Sequence, residues 1–262
     1  MRASLLPKST LSTKNREFRF TMSFFDNLRR AAEKSLAYSN CSFCGLEQTE
    51  IGICTPCLSA VEPMGRSCRT CASPIEASQA AQSEPDAGSS CGQCLQKPPA
   101  FQKVIAATRY RFPVDKALSE LKFNKQLHFA RSLSHVLERR VRLSYQDTSY
   151  PEALVAIPLH PKRLSERGFN QSEIITKHLA NTLSIPHNNA LTRIKDTPHQ
   201  IGLSEKQRRK NLNNAFYLQK PLPSHIALVD DVVTTGSTVS EAAKLCLQNG
   251  VKQVDVWCLA KT

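Results

Sequence analysis

One segment, residues 226–238 (IALVDDVVTTGST), restricts the fold of this chain more than any other part of the sequence. Its apolar start predicts a buried strand, and Asp230 and Asp231 follow at the end of that strand. The turn at 234–238 is small and hydroxylated and leads directly into a predicted helix. Backbone N–H groups and hydroxyls in such a turn can hold a phosphate at the positive end of the helix. An ordinary strand–turn–helix with a Ser/Thr N-cap would explain each feature alone, but two acids and the whole turn in one register favour a phosphate site.

Alternating strand-like and helix-like segments predict that residues 98–262 form an α/β domain with a largely parallel sheet flanked by helices. Strands are predicted at 104–110, 153–157, 225–229 and 253–260, and helices at 114–123, 127–142, 170–184 and 237–249. The polar, charged segment 193–214 is predicted to be a mobile loop or a frayed helix.

Eight of the ten cysteines form four Cys-x-x-Cys pairs upstream of this domain. The pairs are Cys41 and Cys44, Cys54 and Cys57, Cys68 and Cys71, and Cys91 and Cys94. Two residues between cysteines let both sulfurs of a tight turn bind one ion, and two such turns complete a tetrahedral zinc site. The sequence therefore predicts two structural zinc ions in a small Cys-rich, zinc-ribbon-like module at 37–97. Consecutive pairs could share one zinc, or the pairs could be cross-braced.

Other uses of the cysteine pairs are less consistent with the sequence. Disulfides are disfavoured because nothing in the sequence routes the chain to an oxidising compartment. Redox centres need a strand–helix context, whereas these pairs lie in loop-like sequence. Iron–sulfur clusters stay an alternative, although paired knuckles in a short basic module favour zinc. Cys246 and Cys258 fall in a predicted helix and strand and are expected to be core thiols.

The net charge and the absence of targeting signals limit the expected binding partners and the expected cellular location. A formal net charge of +13 favours anionic partners such as nucleic acid or nucleotide phosphates. Aromatic residues at 6% argue against a broad stacking surface, although a few well-placed rings would suffice for single strands. No apolar stretch of membrane-spanning length and no secretory signal is evident, so we expect a cytoplasmic protein. Residues 1–36 are expected to be a partly disordered extension with a short helix at 23–36, and residues 1–21 could reflect an over-long gene prediction.

The segment 226–238 resembles the phosphoribosyl-pyrophosphate motif of type I phosphoribosyltransferases. The resemblance implies that Asp230 and Asp231 are the catalytic residues and bind the ribose hydroxyls, while the turn binds the 5′-phosphate. The implied phosphoribosyl-binding residues are Asp230, Asp231, Val232, Val233, Thr234, Thr235, Gly236, Ser237 and Thr238. Mg²⁺, bound mainly through pyrophosphate and ribose oxygens, is the implied cofactor.

An earlier basic segment follows the predicted strand at 153–157 and resembles the position of this family's pyrophosphate loop. The residues expected to bind pyrophosphate are Pro158, Leu159, His160, Lys162, Arg163 and Arg167. Basic side chains there could neutralise the leaving group. A solvated basic loop is the alternative for each residue taken alone.

The order of motifs resembles that of the ComF/GntX family from about residue 40 onward. The motifs are the cysteine pairs, 121–123 (LKF), 157–171 (IPLHPKRLSERGFNQ), Gln200 with 208–212 (RRKNL), 215–216 (AF), and the phosphate segment. The resemblance implies a zinc-binding module on a phosphoribosyltransferase-like domain and a role in handling incoming DNA or in using DNA as a nutrient.

Two functional hypotheses follow. The first is a phosphoribosyl pyrophosphate-binding protein, or one binding a related sugar phosphate, that assists uptake or utilisation of single-stranded DNA in the cytoplasm, with DNA-processing proteins as partners. The second is an active phosphoribosyltransferase on an unidentified nucleobase or other acceptor. A base-binding hood is not evident for the second, because 193–214 is the only obvious lid and has few apolar residues. A non-catalytic phosphoribosyl sensor is a third possibility.

Overall fold

The fold is described from a computed structural model, in which residues 39–75, 90–196 and 214–262 are described. The expectations for residues 1–36, for nearly all of 76–90 and for 197–213 lie outside these residues. The strands are β1 (Ser39–Asn40), β2 (Gln48–Thr49), β3 (Val104–Arg109), β4 (Ala153–Ala156), β5 (Leu191–Arg193), β6 (Phe216–Leu218), β7 (His225–Val233) and β8 (Gln253–Lys261). The helices are α1 (Thr55–Ala60), α2 (Gly92–Gln96), α3 (Val114–Phe123), α4 (His128–Ser144), α5 (Pro161–Arg167), α6 (Gln171–Leu183) and α7 (Ser237–Gln248).

A four-stranded parallel sheet in the order β3-β8-β7-β4 forms the centre of the fold. Its two inner strands are apolar and almost continuously buried, as expected for a parallel sheet covered on both faces. The α/β class, with helices flanking a parallel sheet and a Cys-rich module before it, is confirmed.

Helices cover the two faces of the sheet. On one face α4 packs against β3 and β8, α6 packs against β4 and β7, and α3 packs on α4. Their buried residues, including Leu118, Leu137 and Leu179, share a core with Val229 and Trp257 of the sheet. On the other face α7 packs against β7 and β8.

The element boundaries correct the sequence expectations at three places. Strand β7 continues to Val233, so the two acids lie within the strand rather than after it. Residues 161–167, expected as a loop, form helix α5, which begins at Pro161 and is followed by Gly168, whose left-handed φ of 85° caps its end. Arg193, placed in a predicted loop or helix, belongs to the antiparallel pair β5–β6. Strands of three residues are too short for a periodic pattern, which explains the last miss.

The Cys-rich module packs directly on the α/β domain. Ser132 of α4 donates a hydrogen bond of 2.6 Å from Oγ to the carbonyl oxygen of Gly52. Phe43 and Phe129 meet edge to face with ring centroids 5.5 Å apart. Farther along, the Val104 N–H at the start of β3 donates to the carbonyl oxygen of Thr70 at 2.8 Å. The module and the sheet thus share one packed structure.

In the part of the chain that the structure describes, no helix combines the length and the apolar character needed to cross a membrane.

Candidate functional site

The two acids of β7 lie just beyond the point where the neighbouring strand β4 ends. Pairing of β4 with β7 stops at Val229, whose carbonyl oxygen accepts a hydrogen bond from the Ile157 N–H at 2.9 Å. Asp230 and Asp231 therefore occupy the crevice outside the carboxyl end of a parallel strand, where open α/β sheets bind ligands.

The first turn of α6 holds both carboxylates. Ser172 donates from Oγ to Oδ1 of Asp230 at 2.9 Å, and Gln171 donates from Nε2 to Oδ2 of Asp231 at 3.3 Å. Lys122, in the last turn of α3, forms an ion pair through Nζ with the same oxygen of Asp231. Side chains from two helices thus fix the orientation of the acid pair.

The electrostatics of the pair are asymmetric. Burial, and then the adjacent charge of Asp231, raise the pKa of Asp230 to about 7, although the hydrogen bond from Ser172 opposes this shift. Asp231 is buried and has the Lys122 ammonium as its direct partner. The site therefore holds one carboxylate with a partner cation beside one that protonates readily near neutral pH.

The segment 167–172 explains how α6 reaches the acids. Gly168 caps the end of α5, and Asn170 then caps the start of α6 by accepting the Ser172 N–H on Oδ1 at 3.1 Å. Nδ2 of Asn170 donates to the carbonyl oxygen of Ile157 at 3.0 Å, which ties this cap to the end of β4. Arg167 donates from Nη1 to Oε1 of Gln171 at 2.7 Å. Arg167 and Asn170 thus position Gln171 and Ser172, which contact the acids.

The hydroxylated turn has the conformation that its glycine allows. Gly236 has a φ of 76° and is the N-cap of α7. The hydroxyls of Thr235 and Ser237 lie 2.8 Å apart, and the Ser237 N–H contacts Oγ1 of Thr235 at 3.4 Å. Thr234 and Thr235 are exposed, whereas Val233 is buried at the end of the strand. Because the first N–H groups of a helix have no intrahelical partner, the start of α7 can bind an anion.

A cavity of about 770 Å³ adjoins this turn on the side of the Cys-rich module. Residues 233–237 line it, together with Phe101 and Cys94. Lys97, Lys244 and Lys261 also line it, so the cavity has a basic character. Its volume is within the range of about 300–1,000 Å³ found for small-molecule sites.

The six residues expected to bind pyrophosphate lie in the β4–α5 connection and in α5. Pro158, Leu159 and His160 are half-buried, Lys162 is exposed, and Arg163 and Arg167 are half-buried. Nδ1 of His160 and Nζ of Lys162 each lie 3.8 Å from a carboxylate oxygen of Asp196.

Arg193 also belongs to this basic group, although no sequence motif identifies it as a site residue. Burial and the nearby charge of Arg163 lower its pKa, and the charges of Asp230 and Asp196 oppose that shift. Arg193 of β5 thus interacts with the charge of Asp230 and has Arg163 of α5 nearby, a charge arrangement suited to an anion.

The eight paired cysteines form two groups of four. Cys41, Cys44, Cys54 and Cys57 make one group, and Cys68, Cys71, Cys91 and Cys94 make the other, with the sulfurs of each group within 4.8 Å of one another. Consecutive pairs therefore combine, and the cross-braced arrangement is wrong. The second and fourth pairs do not lie in loops throughout, because α1 begins after Cys54 and α2 after Cys91.

Sulfur geometry in both groups fits a tetrahedral metal ion. Sγ of Cys44 lies 3.8 Å from Sγ of Cys54, and Sγ of Cys71 lies 3.7 Å from Sγ of Cys91. A zinc–sulfur bond of about 2.3 Å gives a tetrahedron edge of about 3.8 Å.

Backbone N–H groups add to this fit. Cys54 N–H donates to Sγ of Cys41 at 3.3 Å, and Cys91 N–H donates to Sγ of Cys68 at 3.2 Å. Burial raises the pKa of Cys41 and Cys68, but these and other backbone N–H groups outweigh it and lower both to about 6. One thiolate per group is thus favoured before any ion binds.

Proteins with similar sequences are found among curated proteins. DNA utilization protein YhgH of Salmonella typhimurium (strain LT2) is 39% identical over 215 residues, which cover 80% of this chain and 91% of the relative. The chain belongs to the ComF/GntX family. Family members also include the YhgH protein of Escherichia coli K12, 38% identical with the same coverage, and competence protein F of Haemophilus influenzae. The latter is 39% identical over 178 residues, covering 65% of this chain and 78% of that protein.

The family assignment rests on these sequence relatives. No family model matches the sequence. A purine phosphoribosyltransferase from Pyrococcus horikoshii OT3 is similar in structure, with a TM-score of 0.31, 14% identity, and coverage of 51% of this chain and 82% of that chain. At this TM-score the likeness decides nothing, and the fold rests on the observed sheet topology.

Several contacts of the acid pair could not be assigned from the sequence. Lys122 and Gln171 fall within two segments that resemble the ComF/GntX pattern. The resemblance draws attention to these residues but does not predict that they contact the acids. Ser172 and Arg193 carry no motif signal. Their contacts with the acids depend on how α3, α6 and β5 pack around the end of β7.

Proposed function

We propose that this ComF/GntX protein binds phosphoribosyl pyrophosphate, or a closely related sugar phosphate, with Mg²⁺ at the end of β7, and that it assists uptake or utilisation of single-stranded DNA in the cytoplasm. The observation that carries the ligand assignment is the acid pair, fixed by the first turn of α6 in the same strand that leads into the Gly236 turn. Paired carboxylates suit two neighbouring hydroxyls, and a helix start suits a phosphate.

Each group has a defined task in this proposal. Asp230 and Asp231 accept hydrogen bonds from the ribose hydroxyls, while N–H and hydroxyl groups of residues 234–238 bind the 5′-phosphate. Arg163 and Arg193 neutralise pyrophosphate near the acids, with Lys162 and His160 at its outer edge. When bound, Mg²⁺ neutralises pyrophosphate charge and is held mainly by oxygens of the ligand itself.

The two cysteine groups are proposed to hold one structural zinc ion each. Four thiolates complete the tetrahedron and leave no open position for a substrate. The ions would maintain segments that bury too little apolar surface to fold alone.

The DNA half of the proposal draws support from the relatives and from charge. Three relatives are named for DNA utilisation or competence. A net charge of +13 suits a polyanion.

Calorimetric titration with phosphoribosyl pyrophosphate and Mg²⁺ tests the ligand assignment. We expect measurable affinity for the wild type and little for the double variant Asp230→Asn/Asp231→Asn. Asp147→Asn removes an exposed acid at the end of α4 and serves as the matched control, with wild-type affinity expected. Equal affinity of the double variant and the control would refute the assignment.

Fluorescence anisotropy with labelled single-stranded DNA at several salt concentrations tests the DNA half. Binding through phosphates requires the logarithm of the affinity to fall with the logarithm of salt concentration, by about 0.7 per phosphate neutralised. Absence of binding, or binding that does not respond to salt, would count against nucleic acid.

An active phosphoribosyltransferase is the second candidate. The arginines near the acid pair favour it, because they could stabilise pyrophosphate as it departs from the anomeric carbon. Release of pyrophosphate in the presence of a panel of nucleobases and of DNA distinguishes turnover from binding alone.

A further inference from the structure

The last residue of α3 exposes an aromatic ring beside the acid pair. Helix α3 buries Leu118 and Leu121 completely, yet Phe123 at its end is 65% exposed. The residue before it, Lys122, makes the ion pair with Asp231. The exposed ring therefore belongs to the residue next to Lys122, which contacts Asp231 in the proposed ribose site.

A guanidinium group lies over this ring. Cζ of Arg167 is 5.8 Å from the ring centroid of Phe123, within cation–π distance. Arg167 is half-buried and donates to Gln171, which in turn donates to Asp231. The ring and the guanidinium are consequently positioned by the same contacts that hold the acids.

A second cation flanks the pair. The side chain of Lys125 reaches over Gly168, the residue after Arg167, since a Cβ placed on this glycine would lie 3.9 Å from Nζ. An exposed ring with a guanidinium over it and an ammonium nearby is the combination that holds unpaired bases in single-strand-binding proteins, where rings stack on bases and cations bind phosphates.

We propose that Phe123 and Arg167 form a stacking site for one unpaired base of a single-stranded nucleic acid, with Lys125 meeting its backbone. The openness of the ring favours a base within a strand over a free nucleobase, because a small uncharged ligand needs an enclosing pocket. Arg167 and Lys125 also complement the phosphates of a strand, which a free base lacks. The inference rests on the DNA half of the proposed function and assigns it a location.

A tryptophan at the site reports stacking directly. The natural Trp257 is fully buried and gives a constant background. Phe112, 75% exposed in the loop before α3, offers a matched position at the other end of the same helix. We expect oligo(dT) to quench the fluorescence of the tryptophan added in Phe123→Trp. The fluorescence of the tryptophan added in Phe112→Trp should stay unchanged. Equal quenching of both, or of neither, would overturn the proposal.

Affinity provides the second measurement. Phe123→Ala should weaken oligo(dT) binding by about 5- to 100-fold, the range for losing one stacked base, while Phe112→Ala binds like the wild type. Both rings are exposed, so both variants should keep the wild-type melting temperature. Wild-type affinity in Phe123→Ala would overturn the proposal.

Two further readouts separate this inference from the proposed function. Phe123→Ala should keep its calorimetric affinity for phosphoribosyl pyrophosphate with Mg²⁺, because the side chains that hold the acids, Lys122, Gln171 and Ser172, are unchanged. Quenching of Phe123→Trp by free adenine or uracil but not by oligo(dT) would overturn the strand assignment in favour of an acceptor base. Failure of the wild type to bind oligo(dT) would overturn the inference and leave the sugar-phosphate assignment intact.

Discussion

Asp230 and Asp231 place two carboxyl groups next to each other in a strand, and their partners determine how much repulsion the folded protein bears. Lys122 offsets the charge of Asp231, whereas Asp230 has the neutral hydroxyl of Ser172. Burial, and then the charge of Asp231, raise the pKa of Asp230, and the hydrogen bond from Ser172 opposes this shift. A ligand that donates hydroxyl hydrogen bonds to both acids would stabilise both carboxylates in their charged form.

The raised pKa of Asp230 makes the free energy of unfolding depend on pH. Because the folded-state pKa of Asp230 is above its ordinary value, the protonated acid contributes fully to stability at acidic pH, and the contribution is lost as the pH rises toward about 7. Asp230→Asn should therefore raise the free energy of unfolding by about 1–3 kcal/mol at pH 8 and by much less near pH 4.

Urea unfolding of the ligand-free protein across this pH range measures the effect. Asn keeps an Oδ1 acceptor for the Ser172 hydroxyl and for the Asp231 N–H. A stability difference that is constant with pH, or larger at pH 4, would contradict the assignment of the shift to Asp230.

At this scale the sequence predicts the residues of the motif but not their partners. The acids and the turn are contiguous, so spacing alone draws attention to them. Ser172 and Lys122 are 58 and 109 residues away from the acids they contact. Contacts of this separation depend on topology, which a local pattern does not contain.

Among the elements, the β7–turn–α7 unit carries the proposed phosphate site, and its shape depends on Gly236. The left-handed φ of this residue allows the strand to enter the helix within three residues. Phe101 packs beneath the turn, since a Cβ on Gly236 would lie 3.7 Å from the ring. The turn is thus supported from the segment that connects the Cys-rich module to β3.

Gly236→Ala should weaken binding of phosphoribosyl pyrophosphate. The added Cβ meets Phe101 at an ordinary contact distance, so the cost comes from the left-handed φ, about 1–2 kcal/mol for an alanine. Relaxation of the turn would move its N–H groups, and we expect the calorimetric affinity to fall by about 5- to 30-fold.

Gly250→Ala is the matched control. Gly250 follows the other end of α7 with a φ of 95°, and no atom of the described residues lies within 4 Å of an added Cβ. It should lose similar stability and keep its affinity. If both variants bind the ligand equally well, the turn does not hold the phosphate.

Long amphipathic or apolar segments were predictable as elements. Helix α3 has the predicted bounds, and the other long helices and the sheet strands agree within a few residues, except for the longer β7. Helix α5 was missed because its basic residues were interpreted as a loop, although Pro161 at its start and Gly168 at its end are ordinary helix boundary signals.

On the scale of the whole molecule, the two cysteine groups attach the Cys-rich module at separate places. The first lies against α4 through Gly52 and Phe43, and the second lies near β3 and the cavity beside the Gly236 turn. The domain boundary predicted near residue 97 is based on the change in amino-acid composition there. Buried residues of the first group, Cys41 and Cys54, nevertheless pack in the same core cluster as Trp257.

Metal analysis tests the two proposed zinc ions. We expect two zinc ions per wild-type chain and one in each of Cys44→Ser and Cys71→Ser, because each variant breaks one group of ligands. Both variants should melt at a lower temperature than the wild type, since metal binding stabilises the folded module.

Cys246→Ala controls for the loss of a thiol, because Cys246 is buried in α7 outside both groups. It should retain two zinc ions. Iron in place of zinc, or one metal ion shared by all eight cysteines, would contradict the assignment.

The position of β8 within the sheet affects how the protein is made. This strand follows β3, β4 and β7 in sequence but lies between β3 and β7. While the chain emerges from the ribosome, β3 and β7 each have an unpaired edge until β8 has been synthesised. Strand β3, made in the first half of the chain, must therefore wait for β8 near its end, and chaperone protection of these edges during translation should matter for the yield in cells.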